Sequence, residues 1–244
     1  MTRVYEHTNY LLICTDSLAP EEHQHLAAHV LISLAGDVCL KINGSSFCGR
    51  GIAIPPDALH QVEAYGTKVL VFCFDNTTNV AAKINTTQLF DECVCETAVK
   101  LFREFEKSGS RENYEQFEKV IFEQLGVEKA ESRVTDERIT VAMKEIRKNL
   151  SEKITCRSVA ERVHLSEGRF LHLFRQSTGM TFAAYVIFQR VLYAYTEMTK
   201  GKSITEAAVE AGFYSSSHFA DVNKRLFGMS ASDFASQWHF EKMA

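Results

Sequence analysis

Arg169, His172 and Arg175 follow Ser166 at three-residue steps, and Lys224 and Arg225 follow a run of serines ending at Ser217. Guanidinium and ammonium groups neutralise phosphate, while imidazole, hydroxyl and carboxylate groups exchange hydrogen bonds with base edges. Such chemistry needs one helix face to carry the polar groups and another to hold the helix down. Phe170, Leu173 and Phe174 have the spacing of a buried stripe, which leaves Gly168, Arg169, Leu171, His172, Arg175 and Gln176 on the other faces. In the later segment Phe219 and Val222 point inward, and Ser216, Ser217, Ala220, Asp221, Lys224 and Arg225 outward. Arg175, near a helix end, suits a phosphate contact; His172 and Leu171 suit a base edge or a thymine methyl group. A charged face alone is ordinarily only solvated, so the weight rests on the framework that carries these residues.

That framework occurs twice, as ITCRSVAERVHLSEGRFLHLFRQSTGM and SITEAAVEAGFYSSSHFADVNKRLFGM. Ala160 and His164 match Ala208 and Gly212 at an offset of 48. Phe170, Leu173, Arg175, Gly179 and Met180 match Phe219, Val222, Lys224, Gly228 and Met229 at 49, so the second turn holds one extra residue. Repeats of this size imply two similar helical modules in series, here helix-turn-helix units whose second helix enters a major groove. Ala160 and Ala208 allow the two helices of each unit to cross closely. Gly212 suits a left-handed turn residue without strain, and His164 fills that position less comfortably. Ser166 and Ser215 stand where each recognition helix needs a cap.

The elements preceding the repeats differ in kind. From Val30 to Phe74, short apolar runs are broken at Gly36-Asp37, Asn43-Gly44 and Pro55-Pro56, the pattern of antiparallel strands with tight turns. From Gln88 to Gly126 the period lengthens, and Phe90, Val94, Ala98, Leu101, Phe102 and Phe105, then Phe117, Val120, Ile121, Phe122 and Leu125, predict two amphipathic helices that either cap the sheet or form a dimer seam. The polar stretch 127–135 reads as a linker. Helical periodicity resumes at Ile139 and runs on to Trp238. With 45% hydrophobic and 24% charged residues, the chain of 244 falls in the soluble globular class rather than the disordered or membrane-spanning ones, and the cytoplasm is the expected location. The net charge of −4 conceals a split: residues 136–244 carry 15 Lys/Arg against 12 Asp/Glu, and residues 1–135 carry 12 against 19. The basic excess thus lies with the repeats. Seven cysteines without a C-x-x-C spacing argue against a disulfide framework or zinc ribbon and predict reduced thiols. Cys93 and Cys95, one residue apart, would face different sides of a helix.

Residues 136–238 resemble the tandem helix-turn-helix domain of the AraC/XylS family of bacterial transcription regulators. LSEGRFLHLFRQSTGMTFAAYV, Arg190, ITEAAVEAGF and SHFADVNKRLFGMSASDF carry the resemblance. It implies a seven-helix unit with recognition helices in adjacent major grooves, an activator role, contact with RNA polymerase and a homodimer. Asp221 stands where the family often has a basic residue, Asn223 where a core phenylalanine is usual, and Phe182 and Ala231 where a proline commonly follows the Gly-Met step. Gly168 and Leu171 also leave little polar readout in the first helix. We therefore expect the first copy to dominate phosphate-anchored affinity.

The segment EEHQHLAAHVLISLAGDVCLKINGSSFCGRGIAIPPDALHQVEA resembles the cupin-type effector barrel of that family, through His23-x-His25, Gly36-Asp37 and IPPDALH ending at His60. Cupin enzymes hold a metal with such a histidine pair, a nearby carboxylate and a later histidine; His29 falls at the carboxylate's spacing. The resemblance implies that His23, His25, His29 and His60 converge as an effector site, or as ligands for a divalent metal. The expected fold is two-domain α+β. An N-terminal small antiparallel β-barrel and helix pair (1–126) for effector binding and dimerisation precede a linker (127–135) and an all-α tandem helix-turn-helix domain (136–244). The expected protein is no enzyme, but a regulator binding double-stranded DNA and an unknown small-molecule effector, without membrane association. A metal-dependent cupin enzyme or metal-responsive regulator is the alternative, and a cysteine-based sensor ranks last.

Overall fold

The computed structural model describes residues 2–242 apart from 8, 19, 229 and 231–237. It divides into two compact units, Met1–Ser132 with Trp238–Ala244, and Arg133–Gln237. The fold is two-domain α+β, an antiparallel sheet domain followed by a helical one.

In the first unit, β1 (Thr2–Glu6), β2 (Tyr10–Leu18), β3 (Ala28–Ser33), β4 (Val38–Ile42), β5 (Ser45–Gly49), β6 (Gly51–Ile54) and β7 (His60–Phe74) follow one another. They precede α1 (Asn79–Lys83), β8 (Gln88–Leu89), α2 (Glu92–Ser108) and α3 (Arg111–Gln124). The main path runs β8-β6-β3-β7-β2-β1-β9, where β9 is Trp238–Lys242, while β4 pairs β7 and β5. The fifteen-residue β7 is the spine: its C-terminal half pairs with β2 and β3, and its N-terminal end pairs with β4. All pairings are antiparallel except β1 with β9.

Helices α2 and α3 lay their aromatic stripe on the sheet. Phe102, Phe105, Tyr114 and Phe117 are buried with Tyr5, Tyr10, Phe72 and Phe74 in one core cluster. These faces are therefore occupied by capping the sheet, and a dimer seam would have to use other residues. Asp91 caps α2 by accepting from the Cys93 N–H, and Gly109 closes it in the left-handed conformation.

Asn43 and Gly44 both have positive φ (49° and 79°) and close the β4–β5 hairpin. The register sets Cys39 opposite Cys48, with Cα atoms 4.2 Å apart, and the two are disulfide-bonded. This corrects the expectation of reduced thiols throughout. An odd total of cysteines says nothing about one pair whose strand positions oppose each other. The other five, Cys14, Cys73, Cys93, Cys95 and Cys156, are free thiols.

Two further expectations meet a different outcome. Asn79 donates to the Lys129 carbonyl and accepts from the Glu131 N–H, Asn9 donates to the Ala130 carbonyl, and Thr78 bridges Ser132. Residues 127–132 are thus tied to the first unit rather than spanning free. Trp238, expected to end the helical part, instead begins β9. A parallel pairing with β1 across the whole chain leaves no local signature.

The second unit holds α4 (Glu137–Lys148), α5 (Cys156–Arg162), α6 (Glu167–Thr178), α7 (Phe182–Thr199), α8 (Ile204–Glu210) and α9 (Ser216–Phe227). The seventh helix implied by the family resemblance, and Ala231 with it, falls outside the described residues. Ile139, Met143 and Ile146, Phe170 and Phe174, Tyr185 and Val191, and Phe219 and Val222 are buried in the core of this unit. Its shorter helices are fixed by capping boxes, Thr155 with Ser158 and Ser203 with Glu206.

Candidate nucleic-acid interface and histidine cluster

Each helix-turn-helix copy is built from a short first helix, a left-handed turn and a recognition helix. Ala160 and Ala208 are fully buried in α5 and α8, as a close crossing requires. His164 (φ 57°) and Gly212 (φ 79°) are both left-handed. A Cβ on Gly212 would sit 2.4 Å from the Leu150 carbonyl oxygen, so only glycine fits there. Ser166 occupies the N-cap of α6 without a side-chain hydrogen bond, whereas Ser215 caps α9 through the His218 N–H at 3.1 Å. Gly179 and Gly228 end the two helices in matching left-handed caps.

The buried stripe of α6 is Phe170, Phe174 and Thr178; Leu173 is half-buried. Gly168, Arg169, Leu171, His172 and Arg175 are exposed, as are Ser217, Asp221, Lys224 and Arg225 on α9, with Ser216 and Ala220 half-buried. Asn223, standing in for a core aromatic, is fully buried and accepts a hydrogen bond from the Tyr195 hydroxyl on α7. The lost aromatic is thus replaced by a polar tie between helices. Sequence reasoning missed Tyr214, which is 95% exposed. It is the extra residue of the second turn, since Ser166 and Ser215 cap equivalent helices.

In the first unit, His29 lies in β3 and His60 opens β7, while His23 forms an isolated bridge with His60 rather than sitting in a regular strand. All four histidines are buried. One ring nitrogen from each of His23, His25 and His60 lies within 4.8 Å of the others. His29 joins through His25, Nε2 to Nε2 at 2.7 Å.

The hydrogen bonds fix the neutral tautomers. The Ala27 N–H donates to His25 Nδ1, so His25 carries its proton on Nε2 and donates to His29. His29 Nδ1–H in turn donates to the Phe72 carbonyl at 3.2 Å. His23 and His60 donate from Nδ1 to the carbonyls of Glu21 and Ala58, both at 2.8 Å, which leaves each a lone pair on Nε2. Burial and mutual repulsion hold the rings uncharged: His23 is lowered to about 4, His25 and His29 lie well below the ordinary value, and desolvation also lowers His60. His23 and His60 offer Nε2 lone pairs to a divalent transition metal, and His25 would join them only by giving up the Nε2 proton it now donates to His29.

Residues 159–237 match the family model described as a helix-turn-helix domain. The second unit carries a helix-turn-helix domain. The whole chain shares its fold with ToxT from Vibrio cholerae at low identity. The apo form of a strain SCE256 variant aligns with TM-score 0.67 at 12% identity, over 96% of this chain and 99% of that one. Wild-type ToxT of that strain, solved with an unsaturated fatty acid bound, aligns with TM-score 0.57 at 12% identity, over 95% and 96%. ToxT from strain O395 aligns with TM-score 0.62 at 12% identity, over 97% of each chain. No curated protein matches the sequence at a significant level. Among the described residues, no helix is long and apolar enough to cross a membrane.

Proposed function

We propose that this protein is an AraC-type, ligand-responsive transcription regulator. In this reading α6 and α9 enter successive major grooves of duplex DNA, and a homodimer brings paired half-sites together for activation with RNA polymerase. The observation that carries the reading is the pair of equivalent recognition helices. They have matching left-handed glycine C-caps, buried faces led by Phe170 and Phe219, and outward faces bearing Arg169, His172 and Arg175 on one and Lys224 and Arg225 on the other. Arg175 and Lys224 occupy equivalent places, one turn before the C-cap, and suit phosphate contacts. Asp221 repels phosphate but can accept from cytosine N4, so the second copy reads more than it anchors. Selection of bound duplexes from a random pool, followed by footprinting, tests this. The expected site has two protected patches about one helical turn apart, roughly 10 base pairs; a single patch, or no enrichment, would refute it.

The effector is read in the sensor unit and shifts a pre-existing equilibrium of the DNA-binding unit. ToxT holds an unsaturated fatty acid, but the histidine cluster here favours a different chemistry. Uncharged rings with lone pairs on His23 and His60 offer acceptors, which suit a cation and leave a carboxylate unmatched. His23, His25 and His60 would hold a divalent metal, whose role would be to order the cluster as a signal. Metal at His25 Nε2 would replace the proton now donated to His29. Metal analysis of the purified protein, compared with a His23→Ala/His60→Ala double variant, decides this second reading: no bound metal and unchanged DNA binding would sink it.

A further inference from the structure

The Cys39–Cys48 pair lies outside both sites and is built for chemistry of its own. In β4, Val38, Leu40 and Ile42 point into the core, and Cys39 and Lys41 point out. Counting from the Asn43–Gly44 turn, the pairs Ile42–Ser45, Lys41–Ser46 and Leu40–Phe47 lead to Cys39–Cys48 on the outward face. A two-residue turn makes this a non-hydrogen-bonded pair, the position at which opposing Cα atoms approach to about 4.5 Å. Both cysteines are exposed, and β5 pairs with no strand but β4 among the described residues. The other thiols are poorly placed to compete. Burial pushes Cys14 and Cys95 up to about 11, Cys73 to about 12 and Cys156 above its ordinary value, and Cys93 has no opposed partner in its helix.

The hairpin is also clipped to the histidine cluster. The Asn43 N–H donates to the Leu59 carbonyl at 2.8 Å, and the Leu59 N–H donates to Asn43 Oδ1 at 3.0 Å. Ile42 pairs with His60, which bonds His23 through both backbone groups. Anything that loosens the hairpin loosens the strand start that presents His60.

We propose that Cys39 and Cys48 form a reversible dithiol–disulfide site through which thiol compounds set the order of the hairpin and of His60. A thiolate attacks one sulfur, forming a mixed disulfide and expelling the other cysteine as a thiolate, which takes up a proton. A second thiol resolves the mixed disulfide, so that two thiols become one disulfide as the protein gains two electrons and two protons. Exposure on an uncovered hairpin face makes this bond accessible to exchange without disturbing the core. The site stands independently of DNA binding.

The test equilibrates the full chain in buffers spanning reduced to oxidised glutathione, alkylates free thiols and maps them by peptide mass. Cys39 and Cys48 are expected to pass together from both alkylated to neither. The transition persists in Cys93→Ser and is absent in Cys39→Ser/Cys48→Ser. Hydrogen exchange across residues 59–61 should be about tenfold slower in the oxidised form. A pair that stays alkylatable in oxidised buffer, or stays bonded in reduced glutathione, overturns the proposal. Equal exchange in the two states overturns its link to His60.

Discussion

Replacing Gly212 with alanine tests the helix-turn-helix geometry where it is tightest. The residue is left-handed at φ 79°, which costs a side chain bearing Cβ about 1–2 kcal/mol. The new methyl would also stand 2.4 Å from the Leu150 carbonyl oxygen and 3.0 Å from Arg190 Cζ and Nε. Arg190 can swing aside, but a backbone carbonyl beyond the end of α4 cannot, and such overpacking costs about 1–3 kcal/mol. The total is about 3 kcal/mol. His164 occupies the same place in the first copy at φ 57°, so His164→Gly removes strain while adding unfolded-state freedom. That variant should lie within about 1 kcal/mol of the parent, on the stabilising side. With a denaturant slope near 2 kcal/mol per molar, Gly212→Ala should lower the urea midpoint of the helical unit by roughly 1.5 M. Circular dichroism at 222 nm on the full chain reads this directly. If Gly212→Ala unfolds with the parent, or His164→Gly loses as much as Gly212→Ala, the alignment of the two copies is wrong.

Tyr195→Phe should cost about 1–3 kcal/mol by removing the hydroxyl that donates to the buried Asn223 oxygen, and Tyr195→Phe/Asn223→Leu should recover part of it in the same urea measurement. Gly51→Ala would place Cβ 2.6 Å from Cys95 Sγ and 2.8 Å from Phe90 Cβ, so the first unit's thermal transition should fall while the helical unit's stays. His23 is lowered from 6.5 to about 4, so the unfolded chain binds the proton more readily. The stability contribution of its neutral form is therefore present above pH 6.5 and lost as pH falls toward 4, by about 2 kcal/mol at pH 5. Melts at pH 7 and 5 should show a loss in the parent that exceeds the loss in His23→Asn by about 2 kcal/mol, the remainder coming from His25, His29 and His60, which burial also lowers.

What could be read from sequence was what local rules control. The repeats announced themselves because capping serines, left-handed glycines and aromatic stripes act within one or two turns, and β3 to β7 because Asn43-Gly44 and Pro55-Pro56 punctuate them. The four histidines converge although His23 and His25 are not on a regular strand; burial rather than strand alternation brings them inward. The disulfide was within reach, since counting outward from Asn43-Gly44 sets Cys39 against Cys48, but the odd number of cysteines obscured it. Strands β1 and β2 escaped because TRVYE and YLLICTDSL have no turn signal of their own and are defined by pairing with β7 and each other. The attachment of 127–132 depends on Asn79, some fifty residues away, and β9 on a partner at the other end of the chain.

In the proposed reading the paired helices hold duplex DNA through phosphate contacts anchored by the first copy, and the salt dependence of binding to a selected duplex, compared for the parent, Arg175→Ala and Lys224→Ala, tests this. Affinity should fall steeply as salt rises, with a slope shallower by about 1 for Arg175→Ala and a roughly tenfold loss of affinity at fixed salt that exceeds the loss in Lys224→Ala. Binding that ignores salt, or an Arg175→Ala protein that binds as the parent does while Lys224→Ala abolishes binding, would contradict it.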